Sequence, residues 1–550
     1  MITRATFLIV LVAGAFAAAA NEAEPAGKYI AVLKSDATLF EKVRACQELA
    51  RIGAVEAVPA VAPFLGDERL GAYARNVLER TADPSAGEAL RNALGAVKGM
   101  PLVGIVNSLG ARSDEKAVPA LAKLAGDPAS GASVVALVAL GRIATPAALE
   151  VLARALASGP AELRPAAAEG CVLAAERQLA QGARDGALGL YDAVRRTDVP
   201  LQLRLTATRG AILARGADGV PLLLESLRAN GAAFRGMALR TLREVEGAGV
   251  TGAVASALGT MAPAVQALVI PALADRGDSA AAGAIEAAAR SEAPAVRVAA
   301  LEALGRCGGS SSVPILLAAV LDGRSEAERE IALAGLGRLK APDADAAILK
   351  ALPGAESTLR VKLIAVLGVL GTPKAFDALI ASARDADAGV REAAVRALGQ
   401  WQGEDAGAAL LALAKESKDD NDAYRALGAL AGLVQRLGCP NERKLAFARE
   451  ALVLAQRDEE KRLIIEALGG VLAVETFALL GECFGTPSLC ESACAASVVL
   501  GERLVRTAPE AVAAAMEKVR TATKTQAVAD RAANVIRRAG EVGGARAKTK

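Results

Sequence analysis

The sequence predicts an all-α protein, a right-handed α-solenoid of stacked helix pairs. Three observations carry that prediction. Segments ending Ala303-Leu304-Gly305, Gly335-Leu336-Gly337, Val366-Leu367-Gly368 and Ala397-Leu398-Gly399 place their final glycines 32, 31 and 31 residues apart, a period that marks a helical repeat. The composition is 53% hydrophobic but only 3% aromatic, which suits helices with small apolar faces packed closely together. Finally, Thr145-Pro146, Thr372-Pro373 and Thr486-Pro487 each precede an apolar run of helical period. Threonine can cap free backbone N–H groups, and proline fits the first helical turn.

In chain order, residues 1–20 read as an export signal peptide. Arg4 supplies the positive start, Phe7 to Phe16 the apolar stretch, and Ala17-Ala18-Ala19-Ala20 a small-residue cleavage site. The apolar stretch is short for a bilayer span, so no membrane span is expected in the mature form. Residues 21–27 read as a polar linker. A continuous array is expected over 28–538, with roughly fourteen to sixteen units at this period. Its clearest unit covers 390–415. There Val390, Ala394, Ala397 and Leu398 share one helical face, Gly399 is expected to end the helix as a C-terminal cap, and Asp405 to Ala414 form the second helix. Within the array, Leu179-Ala180-Gln181-Gly182 followed by Ala187-Leu188-Gly189-Leu190-Tyr191 resembles a tetratricopeptide helix pair, which marks 163–197 as a longer hairpin. Residues 539–550, ending Arg546-Ala547-Lys548-Thr549-Lys550, read as a flexible basic tail.

A second register accompanies the glycines. Arg235, Arg297, Arg329, Arg360 and Arg391 recur near multiples of 31 residues, and Gln266 fills the vacant position. They form either a binding ladder or a set of junction residues, each pairing with a neighbouring acid or carbonyl. The forked guanidinium favours the second reading.

The stretch Val296-Arg297-Val298-Ala299-Ala300-Leu301-Glu302-Ala303-Leu304-Gly305, repeated in pattern from Val390 to Gly399, resembles the short HEAT repeats of the phycobilisome-lyase type. The chain is also similar to exported HEAT-repeat proteins of Planctomycetes-like bacteria. That resemblance implies a HEAT-type fold over nearly all of the mature chain and a non-catalytic, protein-binding role. It also implies two other readings: a recognition or regulatory module for a carbohydrate-processing system whose catalysis lies in another chain, and, by analogy with lyases, a catalytic protein acting on a tetrapyrrole-bearing partner.

The residue inventory narrows the chemistry. There is no histidine among 550 residues, which removes Ser-His-Asp and Cys-His nucleophile systems and imidazole zinc sites. Basic and acidic residues are nearly balanced, 64 against 61, without the basic stripe of a nucleic-acid binder. Scarce aromatics speak against a ring-lined ligand pocket. Seven cysteines remain, an odd number. Cys46 and Cys171 fit helix cores. Cys483 and Cys490, flanking the turn Phe484 to Leu489, are the best disulfide candidates in an exported protein. A soft-metal site using Cys483, Cys490 and Cys494 lacks a four-ligand spacing, so neither a metal nor a cofactor is expected. Ser113-Asp114-Glu115-Lys116 matches a serine-acylase spacing but fits helix capping better, and Arg276-Gly277-Asp278-Ser279 fits an inter-helix turn. The expectation is therefore a periplasmic or secreted, non-catalytic scaffold with a protein partner.

Overall fold

The structure, a computed structural model, describes residues 26–247, 249–339 and 341–549. The expected signal peptide and residues 21–25 of the expected linker lie outside the described residues. The first helix, Ala26–Lys34, already begins at the linker's last two residues. Among the described residues every regular element is an α-helix or a short 3-10 turn.

The chain divides into two compact units, residues 1–250 and 251–550. In the first unit, Leu39–Ile52, Gly71–Arg80, Gly99–Ala111, Ser133–Ile143, Arg164–Ala180 and Leu201–Arg215 each pack on the next and form one layer. Alternating helices, such as Pro84–Ala93 and Pro146–Ser158, form the other layer. The second unit repeats the scheme. Pro294–Cys307, Glu326–Arg338, Ser357–Leu370, Ala388–Gly399 and Asp420–Arg436 are successive first helices, and Val313–Asp322, Pro373–Ser382 and Asp405–Glu416 are second helices. Each unit is thus an α-solenoid of helix pairs.

Local sequence explains the helix starts. Asp387 accepts from the Val390 N–H at 3.0 Å, and Ser325 from the Glu328 N–H at 3.2 Å. Several second helices open with a 3-10 turn followed by Val-Pro: Val58-Pro59, Val118-Pro119, Val220-Pro221 and Val313-Pro314. The valine is buried each time, while proline occupies a first-turn position where an N–H has no intrahelical partner. Thr145 and Thr372 cap as expected, on Ala148 and Ala375. Thr486 makes no side-chain cap, although Pro487 still starts a helix.

Gly399 ends its helix as expected, though the cap position falls on the next residue, and the repeat glycines also serve a packing role. Gly305, Gly337 and Gly368 lie inside their helices, and Gly399 is the last residue of its own, with Gln400 at the cap position. A Cβ on Gly305 would sit 2.5 Å from the Gly335 Cα, and one on Gly368 or Gly399 would meet the Ala397 or Ala429 Cβ at 2.9 Å. These glycines let consecutive first helices approach backbone to backbone. Only Gly337 is relaxed, its nearest neighbour being a Val369 methyl at 3.6 Å. The left-handed cap of the Ser357–Leu370 helix falls instead on Gly371, at φ 67°.

Residues 163–197 form a hairpin of Arg164–Ala180 and Arg184–Arg196. Its first helix joins the stack by the same device, because a Cβ on Gly141 would meet the Gly170 carbonyl oxygen at 2.2 Å. Its second helix buries Tyr191, whose ring lies over Gly210. Helix Gln526–Thr549 runs through most of the segment expected as a basic tail, so the boundary at residue 538 is not a helix end.

Candidate functional site

The arginine register meets the ends of the second helices. Arg297 Nη1 donates to the Ser291 and Glu292 carbonyls, both at 2.8 Å, just beyond helix Ala282–Ala288. Its Nε and Nη2 donate to Glu328 Oε1 of the next pair, at 3.1 and 2.7 Å. Arg391 repeats this: Nη1 takes the Asp385 and Ala386 carbonyls, both at 3.0 Å, and Nε takes Asp422 Oδ2 at 2.7 Å. Arg329 donates to the Gly323 carbonyl at 2.7 Å and to Glu326 of its own helix at 3.0 Å. Arg235 donates to the Ala229 carbonyl at 3.2 Å, and Gln266 to the Met261 carbonyl at 2.8 Å. Arg360 departs from the pattern, pairing with the Asp385 carboxylate while its buried Nε finds no partner among the described residues. A cation at these carbonyls faces the negative end of a helix.

The Arg297–Glu328 pair is the most enclosed of these, with side-chain exposures of 8% and 5%. The Arg297 guanidinium, opposed by the cost of burial, holds the Glu328 carboxyl below the usual carboxylate range.

Cys483 and Cys490 are not brought together as a disulfide; all seven cysteines are free thiols. Cys490 Sγ donates to the Ala522 carbonyl at 3.4 Å, whereas Cys483 Sγ lies 3.9 Å from the Leu479 carbonyl in its own turn. Burial, with Cys490 beside it, pushes Cys494 up to about 12. Among the described residues no group of three or more cysteine or carboxylate side chains could hold a metal ion.

The acylase-like serine lies in a strained turn and is held by Arg177. Ser113 has φ 51°, and its hydroxyl accepts from Arg177 Nη1 at 2.5 Å. Asp114 makes no helix cap; the Arg91 guanidinium holds its carboxylate instead. In the Arg-Gly-Asp turn, Asp278 caps the Ala280 N–H at 3.0 Å.

The second unit also holds an open cavity with a single aromatic ring in its lining. A cavity of about 700 Å³ opens between helices Ser357–Leu370 and Ala388–Gly399 of the second unit. Val361, Ala365, Val369, Ala397 and Trp401 line its apolar part, and Arg396, Gln400 and Gln402 its polar part. Trp401, the chain's single tryptophan, packs on Phe376 with ring centroids 5.1 Å apart. Val369 is 69% exposed. The composition counted this tryptophan but could not place it; its one local signal is its position two residues after a repeat ending.

The fold defines the class: an α-solenoid of helix pairs. Three stretches, residues 103–171, 250–337 and 345–431, match the family of HEAT repeats. No curated protein matches the sequence. Among solved structures, the chain is similar to Kap95p in its RanGDP-bound form at 11% identity and TM-score 0.40, covering 93% of this chain and 87% of that one. Importin beta is similar at 14% identity and TM-score 0.42, over 92% and 80% of the two chains. Human deoxyhypusine hydroxylase is similar at 22% identity and TM-score 0.23, over 46% of this chain and 96% of that one. Among the described residues no helix is long and apolar enough to cross a membrane.

Proposed function

We propose that this protein is a non-catalytic scaffold of the cell envelope or extracellular space, holding a protein partner along its helical surface. The observation that carries the reading is the stack itself: HEAT repeats in three stretches, with helix pairs that bury one face and expose the other. The arginine register belongs to the frame in this reading. Its guanidinium groups clamp the carbonyl ends of the second helices and, at Arg297 and Arg391, reach an acid on the next pair. The partner surface therefore lies elsewhere. The export part rests on Arg4, the Phe7–Phe16 run and the alanines at 17–20.

The test is affinity capture of tagged chain from a native envelope fraction, followed by mass spectrometry after a moderate salt wash. One dominant protein partner supports the scaffold; a partner that is a carbohydrate-processing enzyme moves the reading to a recognition module for that enzyme. A retained glycan or chromophore without any protein refutes it. Mass of the captured chain tests export: a mature form starting at Asn21 supports it, and an intact Met1 start overturns it.

A further inference from the structure

We infer that the cavity beside Trp401 is a docking groove for a linear peptide that carries an apolar side chain next to a carboxylate. The inference rests on the scaffold reading and names the surface that reading leaves open. Its size falls in the range of ligand pockets, about 300–1,000 Å³, and its lining has the usual make-up: apolar walls with a few polar groups at the edge. Small residues make the hollow. Ala365 presents only a methyl where a longer side chain would fill the space, while Gly368 lets the two helices close at the floor, 2.9 Å being the distance a Cβ there would keep from the Ala397 Cβ. Val369 and Trp401 stand at its rim as apolar contacts, and the ring on Phe376 holds the indole in place.

Charge selects the occupant. Arg396 is the only charged residue in the lining, and no carboxylate joins it. Its partner is Glu392, one turn earlier on the same helix, with side-chain exposures of 69% and 43%. An exposed pair of this kind is weak and exchanges readily for a better acceptor. The negative end of the Ala388–Gly399 helix is partly answered already, because Arg436 donates to the Gly399 carbonyl and to Gln400 Oε1. The indole N–H makes no hydrogen bond to another described residue, so it offers a second donor. An apolar anchor in the hollow and a carboxylate that takes Arg396 from Glu392 answer both the apolar walls and the single cation of the lining. A lysine at the same place would face Arg396.

The lone tryptophan makes the test specific. Full-length protein is titrated with acetyl-Leu-Phe-Asp-Glu-amide, with acetyl-Leu-Phe-Lys-Lys-amide, and with 8-anilinonaphthalene-1-sulfonate, while Trp401 fluorescence is followed. The acidic peptide is expected to give a saturable change, and the lysine peptide to bind at least about fivefold more weakly. Val369→Asp should abolish the response, and Arg396→Gln should weaken the acidic peptide alone by a similar factor. Both positions are exposed, and circular dichroism verifies the fold; Ala365→Gln serves as a second blocking variant. Equal binding of the two peptides, no response to either, or a response unchanged in both blocking variants overturns the inference. So does binding of the dye without the acidic peptide, which would make the groove a small-amphiphile site. Repeating the envelope capture with Val369→Asp separates the two readings. A partner lost with the groove supports both, a partner retained leaves the scaffold standing and sinks the groove, and no partner on the wild-type chain sinks the scaffold.

Discussion

Replacing Gly305 by alanine should destabilise the second unit, although alanine is the better helix former. A Cβ at 305 would lie 2.5 Å from the Gly335 Cα, where carbon atoms ordinarily keep about 3.5–4.0 Å. The obstacle is backbone, so no side-chain rotation relieves it; the two helices must separate. Forcing a methyl into a closed contact costs about 1–3 kcal/mol. Against this, alanine recovers about 0.8–1.0 kcal/mol of helix propensity. The net expectation is a loss of up to about 2 kcal/mol, centred near 1 kcal/mol. Gly432, inside helix Asp420–Arg436, is the control, since a Cβ there meets nothing within 4 Å. Gly432→Ala should gain about 0.5–1 kcal/mol. The same chemical change thus moves stability in opposite directions at two helical glycines. Urea unfolding followed by far-UV circular dichroism reads the global effect. Long repeat arrays lose cooperativity, so amide hydrogen exchange in Pro294–Cys307 and Glu326–Arg338 gives the local one. If Gly305→Ala proves as stable as the wild type, or more so, the close-approach account of the repeat glycine is wrong.

The Arg297–Glu328 contact gives a second expectation: Arg297→Met strands a buried carboxylate and should cost about 3 kcal/mol, measured by urea unfolding. Because the folded Glu328 carboxyl is held below its ordinary 4.5, the pair stabilises fully above that pH and less as pH falls through the folded value. Arg297→Met should therefore flatten the acid limb of the stability–pH curve, and an unchanged limb would contradict the assignment. Thr372→Ala should cost about 1 kcal/mol or more, since Thr372 caps the Ala375 N–H and donates to buried Asp345 at 2.8 Å, whereas Thr486→Ala should leave thermal stability nearly unchanged. Burial pushes Cys46 up to about 11 and Cys171 and Cys494 up to about 12. These three should resist iodoacetamide in mildly alkaline buffer until the chain is unfolded, and peptide mapping without reductant should recover Cys483 and Cys490 unlinked.

The fold was legible because repetition is a one-dimensional signal. A helical period inside a unit and a near-constant spacing between units are both written along the chain, and neither depends on long-range contacts. Helix starts were legible for the same reason: a Thr-Pro pair acts within a single turn. The exception is Thr486, which shows that a good capping residue still needs its side chain turned toward the helix. The glycine at the repeat ending was legible only in part: Gly399 does end its helix, but the packing role of these glycines was not visible. A helix-terminal cap and a close inter-helix contact both favour glycine, and only the distance from Gly305 to Gly335, thirty positions along, separates them.

The sequence by itself determined the all-α class, the helix-pair repeat, the absence of histidine chemistry and the even charge balance. Those properties belong to residue types and local spacing. The tertiary structure decided what the recurring residues meet. It set Arg297 against Glu328 across a junction, kept Cys483 and Cys490 apart, and opened a hollow beside Trp401 between two helices that meet only when stacked. A cavity is the space left between elements, so its walls come from positions scattered over more than forty residues, Val361 to Gly403, that no local pattern joins.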